Sequence, residues 1–120
     1  MPRRHIFMSL LAISFFCLIA PVSAGVPSGN HLIMVTASDC PWCEAFEDEV
    51  GRGYPNTEEA KLLPLRRYDF YDPVPNDMLG LVPATMTPTF IVIKDGKEAG
   101  RIIGYPGHEL FWWRLSEFTH

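Results

Sequence analysis

The stretch that decides the fold is HLIMVTASDCPWC, residues 31–43. Its first part, residues 31–36, is mainly apolar without alternation, which predicts a strand buried on both faces. Pro41 suits the first position of a helix. We therefore expect a buried strand that leads directly into a helix, with Cys40 and Cys43 at the junction.

The rest of the chain predicts further strands and helices in the order βαβα then ββα. Asp95-Gly96 marks a tight hairpin, and the prolines between residues 73 and 83 restrict that stretch to loops around one short helix. The predicted helical elements are a first helix ended by Gly51 and Gly53, a helical turn capped by Asn56 that runs through Lys61, a short helix near 76–81 and a last helix over 108–118. The further predicted strands lie at 65–70, 89–93 and 98–103. This order predicts an α/β fold, a four-stranded mixed sheet with helices on both faces.

Length and composition limit the classes of protein. A chain of 120 residues makes one small domain. With 48% apolar and 20% charged residues it can bury a core. The net charge of -4, with no basic run beyond the first few residues, argues against a nucleic-acid partner. Proteins or small molecules are the expected partners.

The first 24 residues have the order of a secretory leader. Arg3 and Arg4 precede an apolar run over residues 6–20, and the small residues of Val22-Ser23-Ala24 follow. The run is shorter than the roughly 18 to 20 residues that cross a bilayer, so a retained anchor is the weaker interpretation. We predict a signal peptide at 1–24, which carries Cys17 away, and a soluble exported domain at 25–120.

The remaining cysteine pair, in Cys40-Pro41-Trp42-Cys43, is expected to be redox-active. Both sulfurs lie in the first helical turn, where free backbone N–H groups and the helix dipole favour a thiolate. We expect Cys40, exposed at the mouth of the turn, to attack a disulfide and Cys43, one turn further in, to resolve the mixed disulfide. No cofactor beyond this dithiol is implied.

Other uses of the pair are less well supported by the sequence. A purely structural disulfide across so short a loop removes little chain entropy. A structural zinc site needs about four Cys or His ligands, and the only histidines of the exported domain are scattered, so we assign no role to His31, His108 or His120. A non-catalytic Cu(I) chaperone or adaptor is the alternative function, because soft thiolates suit that ion.

Met86-Thr87-Pro88 opens the strand before the hairpin, and with the cysteine pair it resembles the thioredoxin superfamily. The resemblance implies a thioredoxin-like fold, a cis Pro88 that faces the cysteines, and a Thr87 backbone that pairs with a substrate strand. Taken alone, Pro88 is more often a trans proline that opens a strand, and it is the cysteine pair at a strand–helix junction that favours the cis form. Trp42 either forms an apolar contact surface beside Cys40 or covers the helix end.

A narrower resemblance is to the small periplasmic thioredoxin-like SoxS group of bacterial sulfur oxidation. It rests on the following stretches: Cys40-Pro41-Trp42-Cys43, Tyr54-Pro55, Pro64-Leu65-Arg66-Arg67-Tyr68-Asp69, and Gly104-Tyr105-Pro106-Gly107 through Phe111-Trp112. It implies a periplasmic thiol–disulfide oxidoreductase that acts on a protein cysteine or disulfide, with a membrane electron donor. We favour the reductase direction, in which a carrier protein's cysteine is kept reduced.

The chain departs from the superfamily pattern near the site. Thioredoxins hold a buried acid six residues before the first cysteine, and that position is Met34 here, so proton handling by that acid cannot be transferred. We interpret Glu47 and Asp48 as the solvated face of the helix, and Arg66 and Arg67 as fold or surface residues.

Overall fold

The computed structural model describes residues 2, 11–18 and 25–120. Most of the predicted leader, residues 1–24, lies outside the described residues, and its cleavage stays a prediction. Residues 11–18 form no helix or strand, and their side chains are exposed. Within the described ranges, no helix is long and apolar enough to cross a membrane.

Four strands form one mixed sheet in the order β2-β1-β3-β4. The strands are β1 His31–Thr36, β2 Leu65–Asp69, β3 Thr89–Lys94 and β4 Lys97–Ile103. Strand β2 runs parallel to β1, whereas β3 is antiparallel to β1 and to β4. The predicted four-stranded mixed sheet is confirmed.

The hairpin between β3 and β4 has the two-residue turn that the sequence predicts. Asp95 and Gly96 have φ values of 52° and 74°. Positive φ at both positions is the geometry that right-twisted strands require of a tight hairpin, and glycine adopts it without steric cost.

The helices are short, and the first one changes its pitch. They are α1 Pro41–Phe46, which continues as a π-helical turn over Glu47–Gly51, then α2 Glu58–Leu62 and α3 His108–Ser116, with 3-10 turns at Tyr54–Asn56 and Asn76–Met78. A π-helical turn of this kind, with one residue more per hydrogen bond, is frequent at functional sites.

The expected cap of the second helix is wrong by one residue. Thr57, not Asn56, caps α2: its backbone is extended and its side chain accepts a hydrogen bond from the N–H of Ala60. Asn56 ends the preceding 3-10 turn instead. Pro55 favours that turn because its φ is already helical, which moves the helix start forward.

Both faces of β1 are covered, and this explains its uninterrupted apolar sequence. Successive side chains of a strand point to opposite faces. Leu32 and Met34 belong to a helix-side core with residues of α1 and α3, and Ile33 and Val35 belong to a loop-side core. The loop-side core consists of Ile33, Val35, Met78, Ile91 and Ile93.

The segment over the loop-side core is less helical than the sequence predicts. The helix expected near 76–81 is a single 3-10 turn, Asn76–Met78, which buries Met78. Pro75 starts this turn and Pro83 lies soon after it. Proline disfavours helix in the residue before it, so only one turn fits between them.

Phe46 joins the cysteine-bearing helix to the sheet and to α3. It is fully buried, and its ring centroid lies 4.7 Å from that of Phe90 on β3 and 5.2 Å from that of Phe111 on α3. Tilted and edge-to-face pairs at such distances are favourable beyond the area that they bury. The end of α1 is therefore fixed by aromatic packing.

Replacing Phe46 tests this anchoring. We expect Phe46→Ala to lower the free energy of unfolding by about 3–5 kcal/mol, because it removes a buried aromatic side chain and leaves a cavity. Denaturant unfolding with the disulfide intact measures the effect. Trp113→Ala is the control: the side chain is 63% exposed, and the loss should stay within about 0.5 kcal/mol. Equal losses in the two variants would contradict this packing role.

Candidate active site

The cysteine pair lies at the junction of β1 and α1 and forms a closed disulfide. Cys40 is the N-cap of α1, with an extended backbone at φ -120° and ψ 97°, and Pro41 is the first helical residue. The sulfur atoms are 2.10 Å apart and the Cα atoms 5.2 Å apart. The three-residue separation therefore closes a bridge within the first turn, as the sequence predicts.

The N-cap role of Cys40 brings a backbone donor to its sulfur. The N–H of Cys43 donates to Cys40 Sγ at 3.2 Å, and the Cys40 carbonyl accepts the same N–H at 3.0 Å. The first N–H groups of a helix have no partner within the helix. A sulfur in the capping position satisfies one of them, and that N–H would stabilise a negative charge on the sulfur.

Both cysteines are largely covered, and this corrects one expectation. The sequence predicts an exposed first cysteine, but Cys40 is only 6% exposed and Cys43 only 2%. Both belong to the helix-side core, together with Ala37 and Phe46, and their sulfurs are bonded to each other. Cys40 remains the more accessible of the two.

The Thr87–Pro88 element lies at the same end of the two central strands as the cysteine pair. Val35, near the end of β1, is the Cα partner of Thr89, the first residue of β3. The chain before Thr89 and the chain after β1 therefore emerge side by side. The Thr87–Pro88 peptide bond is cis, and Pro88 is buried.

The loop before α3 connects this proline to the cysteine-bearing helix. The N–H of Gly104 donates to the Pro88 carbonyl at 2.8 Å, and the Tyr105 hydroxyl donates to Glu49 Oε2 at 2.5 Å. Burial, together with the hydrogen bond to Glu49, raises the pKa of Tyr105 above its ordinary value. The hydroxyl therefore stays protonated and remains a donor.

Trp42 lies in solvent and is not part of the core. Its side chain is 65% exposed at the second position of α1. Met86, before the Thr87–Pro88 bond, is exposed as well. An indole left in solvent beside a reactive pair offers apolar contact area.

A pocket of about 460 Å³ lies on the Cys43 side of the pair. Its lining residues are Thr36, Ala37, Ser38, Cys43, Glu44, Glu47, Asp48 and Arg52. The sequence analysis missed one carboxylate in this lining. Glu47, expected on the solvated face of the helix, accepts two hydrogen bonds from Arg67 of β2 at 2.7 and 2.9 Å. The signal that was available is the spacing of Glu47 four residues after Cys43, which places both on one side of a helix.

Strand β1, which precedes the cysteine pair, carries the apolar residue Met34. Met34 is fully buried, and its Cα partner on β2 is Arg67. Among the residues that the structure describes, no three His, Cys, Asp or Glu side chains are grouped to hold a metal ion.

Comparisons with known proteins agree with this geometry. A family model described as a thioredoxin-like domain matches residues 23–119. The crystal structure of the periplasmic thioredoxin SoxS from Paracoccus pantotrophus, in its reduced form, is 34% identical, with a TM-score of 0.65 over 73% of this chain and 93% of that chain.

More distant thioredoxins share the fold alone. Mitochondrial thioredoxin 3 from Saccharomyces cerevisiae is 19% identical, with a TM-score of 0.58 over 75% of this chain and 79% of that chain. Thioredoxin from Malassezia sympodialis is 14% identical, with a TM-score of 0.60 over 81% of each chain. No curated protein matches the chain.

The asymmetry of the two sulfurs generates a reactivity prediction. After reduction, we expect iodoacetamide at mildly acidic pH to alkylate Cys40 at least about tenfold faster than Cys43, because the Cys40 sulfur receives a backbone N–H and is more accessible. Peptide mapping by mass spectrometry separates the two sites. The unfolded reduced chain is the control, in which the difference should disappear. Faster alkylation of Cys43 in the folded protein would contradict the assignment.

Proposed function

Because the chain belongs to the thioredoxin-like family, we propose that it is an exported thiol–disulfide oxidoreductase that acts as a reductase on a protein cysteine or disulfide. The observation that carries the proposal is the closed Cys40–Cys43 pair at a helix N-cap. The pair lies at the end of the central strands that also holds Thr87–Pro88. In this role Cys40 and Cys43 are the catalytic residues, and the dithiol is the only redox group that the reaction needs.

The reaction proceeds through a mixed disulfide. The Cys40 thiolate attacks one sulfur of the partner's disulfide, and the other partner sulfur leaves as a thiolate. Cys43 then loses its proton and attacks Cys40, which breaks the bond to the partner. The partner gains two electrons and the enzyme returns to its disulfide form. A membrane electron donor is the proposed source of the electrons for the next cycle.

Substrate recognition is assigned to Trp42, Thr87 and Pro88. An extended partner segment would pair with the Thr87 backbone just before β3. The exposed Trp42 would cover the apolar side chains of that segment. Backbone pairing is tolerant of sequence, so the apolar contact contributes a large share of the specificity.

The proposed location is the periplasm, and the proposed partner is a sulfur-oxidation carrier protein. The support for the location is the order of basic, apolar and small residues over 1–24 together with 34% identity to a periplasmic thioredoxin. The support for the partner is the resemblance to the SoxS group. A dithiol reductase would keep the carrier's cysteine free in an oxidising compartment.

Single cysteine variants test the chemistry. We expect Cys40→Ser to abolish the reduction of insulin disulfides, because the attacking sulfur is lost. Cys43→Ser should accumulate a mixed disulfide at Cys40, because nothing resolves it. Insulin turbidity and non-reducing gels measure the two results. Wild-type turnover in Cys40→Ser would falsify the proposal, and tight stoichiometric Cu(I) binding without dithiol exchange would favour a metal chaperone instead.

Two exposed tryptophans provide a matched test of substrate recognition. Trp42 and Trp113 are 65% and 63% exposed, so either can be removed with little effect on the core. We expect Trp42→Ala to raise the KM for a protein disulfide about tenfold, since a contact aromatic is worth about 1–2 kcal/mol. Trp113→Ala should leave KM unchanged. Equal KM values in the two variants would remove Trp42 from the contact surface.

A further inference from the structure

The polar pocket beside Cys43 is not used by the steps described so far. It is open to solvent and is lined by Cys43, whereas Cys40 takes no part in its lining. Trp42 and Thr87–Pro88, to which partner binding is assigned, do not line it either. A partner that covers the sulfur of Cys40 would therefore leave this route from Cys43 to solvent open.

The resolving step needs such a route. While Cys40 is bonded to the partner, Cys43 must lose a proton before its sulfur can attack, because the thiolate is the nucleophile. The residue is only 2% exposed. The pocket gives this proton a way out, and three carboxylates line it: Glu44, Glu47 and Asp48.

Glu47 is the best placed of the three. Its backbone N–H donates to the carbonyl of Cys43, so the two residues are one α-helical turn apart and on one side of the helix. Asp48 is 62% exposed and pairs with Arg52, whereas the Glu47 side chain is only 30% exposed. Glu44, directly after Cys43, is exposed and points along a different direction of the helix.

The surroundings hold the Glu47 carboxylate in one position. Two N–H groups of Arg67 donate to its two oxygens at 2.7 and 2.9 Å. Gly51 leaves space for it, since a Cβ at that position would clash with Glu47 Oε2. The π-helical turn brings Gly51 beneath the carboxylate. The helix thus supplies an ordered acid next to β1, where the strand itself carries the apolar Met34.

On the premise of the proposed function, we propose that the Glu47 carboxylate accepts the proton of Cys43, through the pocket solvent, in the resolving step. The Cys43 thiol passes its proton across the pocket solvent to the Glu47 carboxylate, and the Cys43 sulfur bonds to Cys40. The bond from Cys40 to the partner breaks, and the partner leaves as a thiolate. Glu47 then returns its proton to solvent.

The charged groups that face Glu47 come from three elements. Arg67 of β2 binds it directly, Glu44 of α1 and Asp48 of the π-helical turn lie in the same pocket, and Arg52 follows that turn. Thr36 and Ser38 contribute only neutral hydroxyls. Of the two arginines, Arg67 binds Glu47 and Arg52 pairs with Asp48.

Rapid kinetics with a chromogenic aromatic disulfide, dithiobis(nitrobenzoate), separate the two steps. The full chain is used with Cys17→Ser, so that only Cys40 and Cys43 react. The first thiol released reports attack by Cys40, and the second, whose rate does not depend on reagent concentration, reports attack by Cys43. We expect Glu47→Gln to slow the second phase at least about tenfold near neutral pH. The first phase should stay unchanged.

The pH profile distinguishes proton handling from a structural role. As pH rises and Cys43 ionises without help, the defect of Glu47→Gln should disappear, and Glu47→Asp should recover part of the rate at neutral pH. The control is Glu49→Gln, in the same turn, whose carboxylate binds Tyr105 instead. A second phase of wild-type rate in Glu47→Gln, or a defect that persists at every pH, overturns the proposal. A missing first phase in the parent chain contradicts the proposed function itself.

Discussion

The hydrogen bond from the Cys43 N–H to the Cys40 sulfur is the contact on which the site depends. It is at once a helix cap and a means of stabilising a thiolate, so the same geometry serves the fold and the chemistry. This hydrogen bond requires Cys40 to lie at the start of α1 with an extended backbone, where the chain leaves β1. Phe46, packed against Phe90 and Phe111, holds the rest of that helix in place.

Local patterns predicted the frame of the molecule well. The apolar run of β1, the Asp95-Gly96 turn and the helical spacing after Pro41 each act over a few residues, and each has a direct physical reason. Burial on two faces requires continuous apolar sequence, and positive φ favours glycine. These features were sufficient for the sheet and for the placement of the cysteine pair at a strand–helix junction.

Features that depend on contacts distant in sequence were not predictable. The ion pair of Glu47 and Arg67 joins residues 20 positions apart, and nothing in either local pattern distinguishes it from two solvated charges. Gly51 is the last residue of the helix, as the sequence predicts, but the π-helical form of this turn and the room that the glycine leaves for Glu47 have no local signal. The low exposure of Cys40 likewise results from packing of the closed bridge in the helix-side core.

The two sulfurs have different surroundings, and the difference suits their proposed order of action. A thiolate that is present before the partner binds is stabilised by hydrogen-bond donors close to its sulfur. Cys40 has one such donor, the backbone N–H of Cys43 at 3.2 Å. A resolving sulfur should remain protonated until a partner is bound, because early ionisation would place two thiolates side by side, which is unfavourable. Carboxylates line the pocket beside Cys43, and in the proposed mechanism one of them accepts its proton. In the proposed mechanism, one helical turn thus separates the sulfur whose charge is stabilised from the sulfur whose proton is removed.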